Sequence, residues 1–120
     1  MIRILIADPD SSTRKALTLL LRRRLGTDGI IEVPDLETLI RELAHTPPDV
    51  LLLDWRLYGA PALETCGLLQ RAYPRLKVVL LSVDADDALA ARQAGAAFIH
   101  KGAPPDELIA TLKPLLHVEE

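Results

Sequence analysis

Two aspartates close short apolar runs: Asp8 follows Ile2–Ala7, and Asp54 follows Val50-Leu51-Leu52-Leu53. Asp10 lies just beyond Asp8, across Pro9. Two later runs also end in polar groups, Ser82 after Lys77–Leu81 and Lys101 after Ala97–His100. An aspartate carboxyl with a pKa of ~3.9 is ionised and nucleophilic at neutral pH. Crowded carboxylates need a cation, which Lys101 supplies in part. A divalent ion held by oxygens would supply more, and magnesium suits one or two carboxylates plus waters. Such a carboxylate can take a phosphoryl group covalently, the new charge being met by the Lys101 ammonium, the Ser82 hydroxyl and the metal. Aspartate also favours turns and helix caps, so Asp8 and Asp10 each keep that plainer reading.

These residues need a scaffold that brings run ends together. Five apolar runs are expected as strands: Ile2 to Ala7, Ile30 to Val33, Val50 to Leu53, Lys77 to Leu81 and Ala97 to His100. Each is followed by a segment with helical spacing. Four stripes stand out: Leu17, Leu20, Leu21 and Leu25; Leu36, Leu39, Ile40 and Leu43; Leu63, Cys66 and Leu69; Leu108, Ile109, Leu112 and Leu116. Ser11 or Ser12 is expected to cap the first helix and Asp35 the second, while Pro104-Pro105-Asp106-Glu107 opens the last. The fourth helical segment is alanine-rich, and Pro114 is expected to interrupt the fifth helix and bend the tail after Leu115. The alternation predicts an α/β fold, a doubly wound parallel sheet of five strands flanked by five helices, with ligands outside the carboxyl ends of the strands.

With 120 residues, a single domain over residues 1–120 and no output domain is expected. The chain is 49% hydrophobic with a formal net charge of -3, which argues against a broad nucleic-acid footprint. Arg22-Arg23-Arg24 reads as a solvated helix end. Cys66 stands alone, so no intramolecular disulfide can form, and a cytoplasmic location with no membrane segment is expected. Histidine pairs with ligand spacing, glycine-rich phosphate loops and nucleophile elbows are all missing from the sequence, leaving zinc chemistry, dinucleotide binding and serine hydrolysis unsupported.

From Ile2 to about Leu116 the chain resembles the receiver domains of two-component response regulators. Asp8 matches one of that family's acidic pair, and Asp54 in Leu52-Leu53-Asp54-Trp55-Arg56-Leu57 matches the phosphoacceptor. Ser82 matches the switch hydroxyl residue, Phe98 the aromatic switch residue, and Lys101 the invariant lysine; Gly95-Ala96 matches the family's Gly-Ala. The ending Lys101-Gly102-Ala103 looks more like receivers attached to helix-turn-helix output domains than like those carrying Lys-Pro. The resemblance implies a flavodoxin-like strand order 2-1-3-4-5. It also implies a Mg2+ site from Asp8, Asp54 and the main-chain carbonyl of Arg56. Three departures stand out: Pro9 where a second acid belongs, Tyr58 where many relatives have proline, and a shortened stretch from Ser82 to Gly95. Asp10 is then either a substitute metal ligand or a helix cap.

The implied function is a stoichiometric phosphoryl acceptor rather than an enzyme. It would be modified on Asp54 by a sensor histidine kinase or phosphotransfer protein and would signal to a downstream protein target through the surface of the fourth helix, fifth strand and fifth helix. Direct nucleic-acid binding is not expected, and the small alanines of the fourth helix permit a homodimer contact. Pro9 motivates an alternative, a degenerate receiver acting as a phosphorylation-independent interaction module. Asp8-Pro9-Asp10 also resembles the Asp-x-Asp of haloacid-dehalogenase-like phosphatases, a reading that leaves Asp54 without a role. Trp55 is expected on the opposite side of its strand from Asp54, and His100 opposite Lys101 near Phe98.

Overall fold

The computed structural model describes residues 2–57, 59 and 61–116. Expectations at Tyr58 and for the tail from His117 onward lie outside the described residues. Strands β1 (Arg3–Ala7), β2 (Gly29–Val33), β3 (Val50–Asp54), β4 (Lys77–Ser82) and β5 (Ala97–His100) form one parallel sheet in the order β2-β1-β3-β4-β5. Helices α1 (Ser11–Leu25), α2 (Leu36–His45), α3 (Ala62–Ala72), α4 (Ala88–Gln93) and α5 (Pro105–Leu115) connect and flank them. The doubly wound architecture and strand order agree with the sequence-based expectation.

Alternation along each strand divides the core in two. Leu5, Ala7, Leu51, Leu53, Val78 and Leu80 face one way, packed with Leu39 and Leu43 of α2, Cys66 and Leu69 of α3, and Ala91 of α4. Ile4, Ile6, Leu52, Val79, Leu81 and Ile99 face the other way, against Leu21 of α1 and Leu108, Ile109 and Leu112 of α5. A wholly buried strand such as β3 therefore reads as an unbroken apolar run. Chain direction over the sheet reverses between β1 and β3, whose ends carry Asp8 and Asp54.

Local chemistry sets the element ends, with several differences from expectation. Asp10, not Ser11 or Ser12, caps α1: its carboxylate accepts from the Ser12 N–H at 3.1 Å and the Thr13 hydroxyl at 2.8 Å. Aspartate is as good a cap as serine, and only the backbone path decided which position opened the helix. Gly26 ends α1 at φ 66°, with the three arginines in the last turn where cations suit the helix dipole. Asp35 caps α2 as expected, through the Thr38 N–H.

Ile40 and Leu63, placed by spacing on apolar stripes, are exposed; Ala62 and Thr65 take the inward positions on α3. The fourth segment splits into a 3₁₀ turn over Ala85–Asp87 and a six-residue α4, ended by Gly95 at φ 81°. Pro114 sits within the last turn of α5 rather than ending it. Burial pushes the Cys66 thiol pKa up, in keeping with a packing role. None of the helices in the described residues is long and apolar enough to cross a membrane.

This two-sided core makes a direct prediction. Leu39→Ala should lower the unfolding free energy by about 2–5 kcal/mol in urea titration. Leu68→Ala, on the open face of α3, should change it by less than about 0.5 kcal/mol.

Candidate functional site: an acidic pocket closed by a lysine

Strand register explains which groups meet. Ala7 pairs with Leu53, Asp54 with Leu81, and Ser82 with His100, so the polar residues crowd one edge of the sheet. Asp8, Asp54 and Lys101 each fall two positions beyond an inward residue of the α1–α5 face (Ile6, Leu52 and Ile99), and converge there. Ser82, Phe98 and His100 alternate onto the opposite face, as does Trp55, which packs against the α2–α3 side.

The Lys101 ammonium lies between two carboxylates. It donates to Asp8 Oδ2 at 2.7 Å and to Asp54 Oδ1. Asp8 and Asp54 are 2% and 6% exposed, so this is a nearly dry cluster with two anions and one cation. Backbone amides hold the remaining oxygens: the Asp10 N–H donates to Asp8 Oδ1 at 2.8 Å and the Arg56 N–H to Asp54 Oδ2 at 2.9 Å. Burial by itself pulls the Lys101 pKa down, but the hydrogen bonds to Asp54 and Asp8 and their charges outweigh it and leave the ammonium above its usual value.

Ser82 is buried but is not hydrogen-bonded to Asp54. Its hydroxyl donates to Asp87 Oδ2 at 2.6 Å and accepts from the Asp84 N–H at 3.0 Å. The half-buried Phe98 packs on the core face that includes Ala91 of α4. The Arg56 side chain is exposed, and only its N–H reaches Asp54. Asp10 points its carboxylate into the α1 cap, and the Thr13 hydroxyl and Ser12 amide hold its pKa below the usual carboxylate range.

Sequence reasoning missed four supporting residues, Arg14, Thr18, Glu32 and Asp87. Arg14 of α1 donates to the Asp8 carbonyl at 2.6 Å and pairs with Glu32 of β2, which also accepts from the Thr18 hydroxyl at 2.7 Å. A signal for Arg14 existed: it precedes Thr18 and Leu21 by four and seven residues, placing a charge on the inward stripe of α1. Asp87, on a short 3₁₀ turn, had no comparable signal.

The side chains offer a magnesium ion fewer oxygens than an acidic pair would: Asp8 and Asp54 are the two carboxylates that would hold it, whereas Pro9 has no side-chain oxygen and both Asp10 oxygens serve the cap. Among the described residues no group of three or more acidic, histidine or cysteine side chains is arranged to hold a metal.

Removing the cation exposes what it balances. Lys101→Met should cost at least ~2 kcal/mol in urea titration, less than the ~3–5 kcal/mol of a fully buried pair because the ammonium is partly solvated. A raised folded-state pKa gives stability that is complete below the unfolded lysine value of ~10.4 and lost as pH rises through the folded value. The stability gap between the native protein and Lys101→Met should therefore shrink above about pH 10.4.

Comparison with known proteins agrees with this fold. A family profile described as "Response regulator receiver domain" matches residues 4–113. The chain is 31% identical over 116 residues to the response regulator GacA of Pseudomonas viridiflava, covering 94% of this chain and 54% of that protein. It is 28% identical to the response regulator UvrY of Escherichia coli K12, covering 94% of this chain and 53% of that one. The chain thus spans about half the length of these relatives. Among solved structures, the signal receiver domain of a DNA binding response regulator protein (merR) from Colwellia psychrerythraea 34H superposes with a TM-score of 0.86 at 22% identity, covering 96% of this chain and 98% of that one. The isolated REC domain of RcsB from Salmonella enterica serovar Typhimurium, in the presence of phosphomimetic BeF3-, gives 0.82 at 19% identity, covering 92% and 85%. Fold, strand order and the profile match agree: the chain belongs to the receiver-domain family of two-component response regulators.

Proposed function

We propose that this receiver accepts a phosphoryl group on Asp54 from a sensor histidine kinase or phosphotransfer protein. The observation that carries the reading is the Lys101 ammonium bound to both Asp8 and Asp54 at the carboxyl edge of the sheet. An Asp54 oxygen attacks phosphorus and the donor's N–P bond breaks; its electron pair goes to the donor imidazole, which leaves neutral because its other ring nitrogen already carries a proton. Replacing the carboxylate by an acyl phosphate adds roughly one negative charge to a nearly dry cluster. Lys101 is already charged and aimed there, so little reorganisation is needed to stabilise it. Ser82 would donate its hydroxyl proton to a phosphoryl oxygen. Magnesium, when bound by Asp8, Asp54 and the Arg56 carbonyl, would screen charge on the incoming phosphoryl oxygens.

The output surface we assign is α4, β5 and α5. Leu89 on α4 and Val83 before it are large exposed apolar residues next to the segment that carries Ser82, and they suit a downstream protein target or a second copy of the chain. Nothing in the site calls for direct nucleic-acid contact, and a cytoplasmic setting matches such a kinase donor. The comparisons lend no support to the phosphorylation-independent alternative.

Incubation with magnesium and acetyl phosphate should add the mass of one phosphoryl group to the intact protein, and Asp54→Ala should abolish the gain. Mass that persists in Asp54→Ala would overturn the assignment. Trp55 fluorescence should titrate saturably with magnesium, and Asp8→Asn should raise the apparent Kd by about tenfold or more. A flat titration would remove the metal from the site.

A further inference from the structure

The hydroxyl expected to meet the phosphoryl group is already engaged. Ser82 is 3% exposed, and its proton goes to Asp87 Oδ2 at 2.6 Å. Asp87 stands where the 3₁₀ turn passes into α4, yet its side chain makes no capping hydrogen bond to that helix; its carboxylate serves the serine instead. A second tie holds the same segment, since His100 Nε2 lies 3.0 Å from the Val83 carbonyl oxygen. Residues 83–87 are therefore fastened to the ends of both β4 and β5.

A serine hydroxyl has one proton to donate. It cannot serve Asp87 and a phosphoryl oxygen on Asp54 at once. We infer that Asp87 is a positioning residue that holds the Ser82 hydroxyl out of the phosphoryl site, so that phosphoryl transfer to Asp54 must displace the Asp87–Ser82 hydrogen bond and free the segment leading into α4. This deepens, and rests on, the phosphoryl-acceptor reading. The only bond exchanged at Ser82 is a hydrogen bond; its proton stays on oxygen and turns from a carboxylate to a phosphoryl oxygen. A hydrogen bond to a charged acceptor biases such an equilibrium by roughly ten- to a hundredfold.

Two measurements on the full chain test this. In the unphosphorylated protein, Asp87→Ala should speed amide hydrogen exchange across residues 84–94, the Asp84 N–H included, whereas Asp87→Asn, which keeps an acceptor, should stay close to the native protein. With acetyl phosphate and magnesium, Asp87→Ala should accept the phosphoryl group about tenfold faster, Asp87→Asn should fall nearer the native rate, and in a Ser82→Ala background Asp87→Ala should have no further effect. Unchanged exchange overturns the restraint. Equal phosphorylation rates, Asn behaving like Ala, or an undiminished effect without Ser82 overturn its action through the serine; the last two outcomes point to the Asp87 charge alone. No added mass in any variant, with exchange altered as expected, overturns the phosphoryl-acceptor reading and the coupling with it while leaving the resting contact in place.

Discussion

One ammonium between two carboxylates organises this molecule's working edge. Burying two like charges side by side is costly, and the Lys101 ammonium offsets that cost while backbone amides of Asp10 and Arg56 satisfy the outer oxygens. The arrangement depends on the sheet. Asp8, Asp54 and Lys101 meet because β1, β3 and β5 end in phase on one face, and a one-residue slip in any of them would turn its polar group toward α3 and α4 instead. The electrostatics and the strand register are thus one constraint.

The other face of the same edge holds the groups suited to transmit a change. Ser82, Phe98 and His100 sit there beside α4, and the Lys101 N–H donates to the Ser82 carbonyl at 2.7 Å. In the proposed reaction, a charge added at Asp54 would act on Lys101, whose backbone N–H is fastened to Ser82. Helix α4 is an apt receiver of such a signal. Six residues are too few to hold a helix without tertiary contacts, and its buried anchor is the small side chain of Ala91.

Stiffness is placed elsewhere. Arg14, Glu32 and Thr18 lash α1 to β2 and to the Asp8 carbonyl, and the Asp10 cap fixes the turn across Pro9. These contacts tie down the acidic side of the site, while the β4–α4 side is held by the Ser82–Asp87 and His100–Val83 contacts. The contrast suits a site in which one wall binds and the other responds.

Much of this was legible in the chain. Runs such as Val50–Leu53 read as strands buried on both faces, and the helix stripes between them pointed to a doubly wound α/β sheet; the residues closing those runs include Asp8, Asp54 and Lys101, which the structure brings together, and Ser82, which it engages elsewhere. Periodicity reports burial, which is a property of local pattern, and so it placed Leu39, Cys66 and Leu112 correctly. It failed at Ile40 and Leu63, where the helix turned a stripe-edge residue outward. What only the tertiary structure decided is who holds whom: Lys101 reaching Asp8 across 93 positions, Arg14 on the Asp8 carbonyl, Asp10 spent on a cap, and Asp87 holding Ser82. Hydrogen bonds are short and directional, so their partners follow from where distant segments end in space, and no spacing along the chain encodes that.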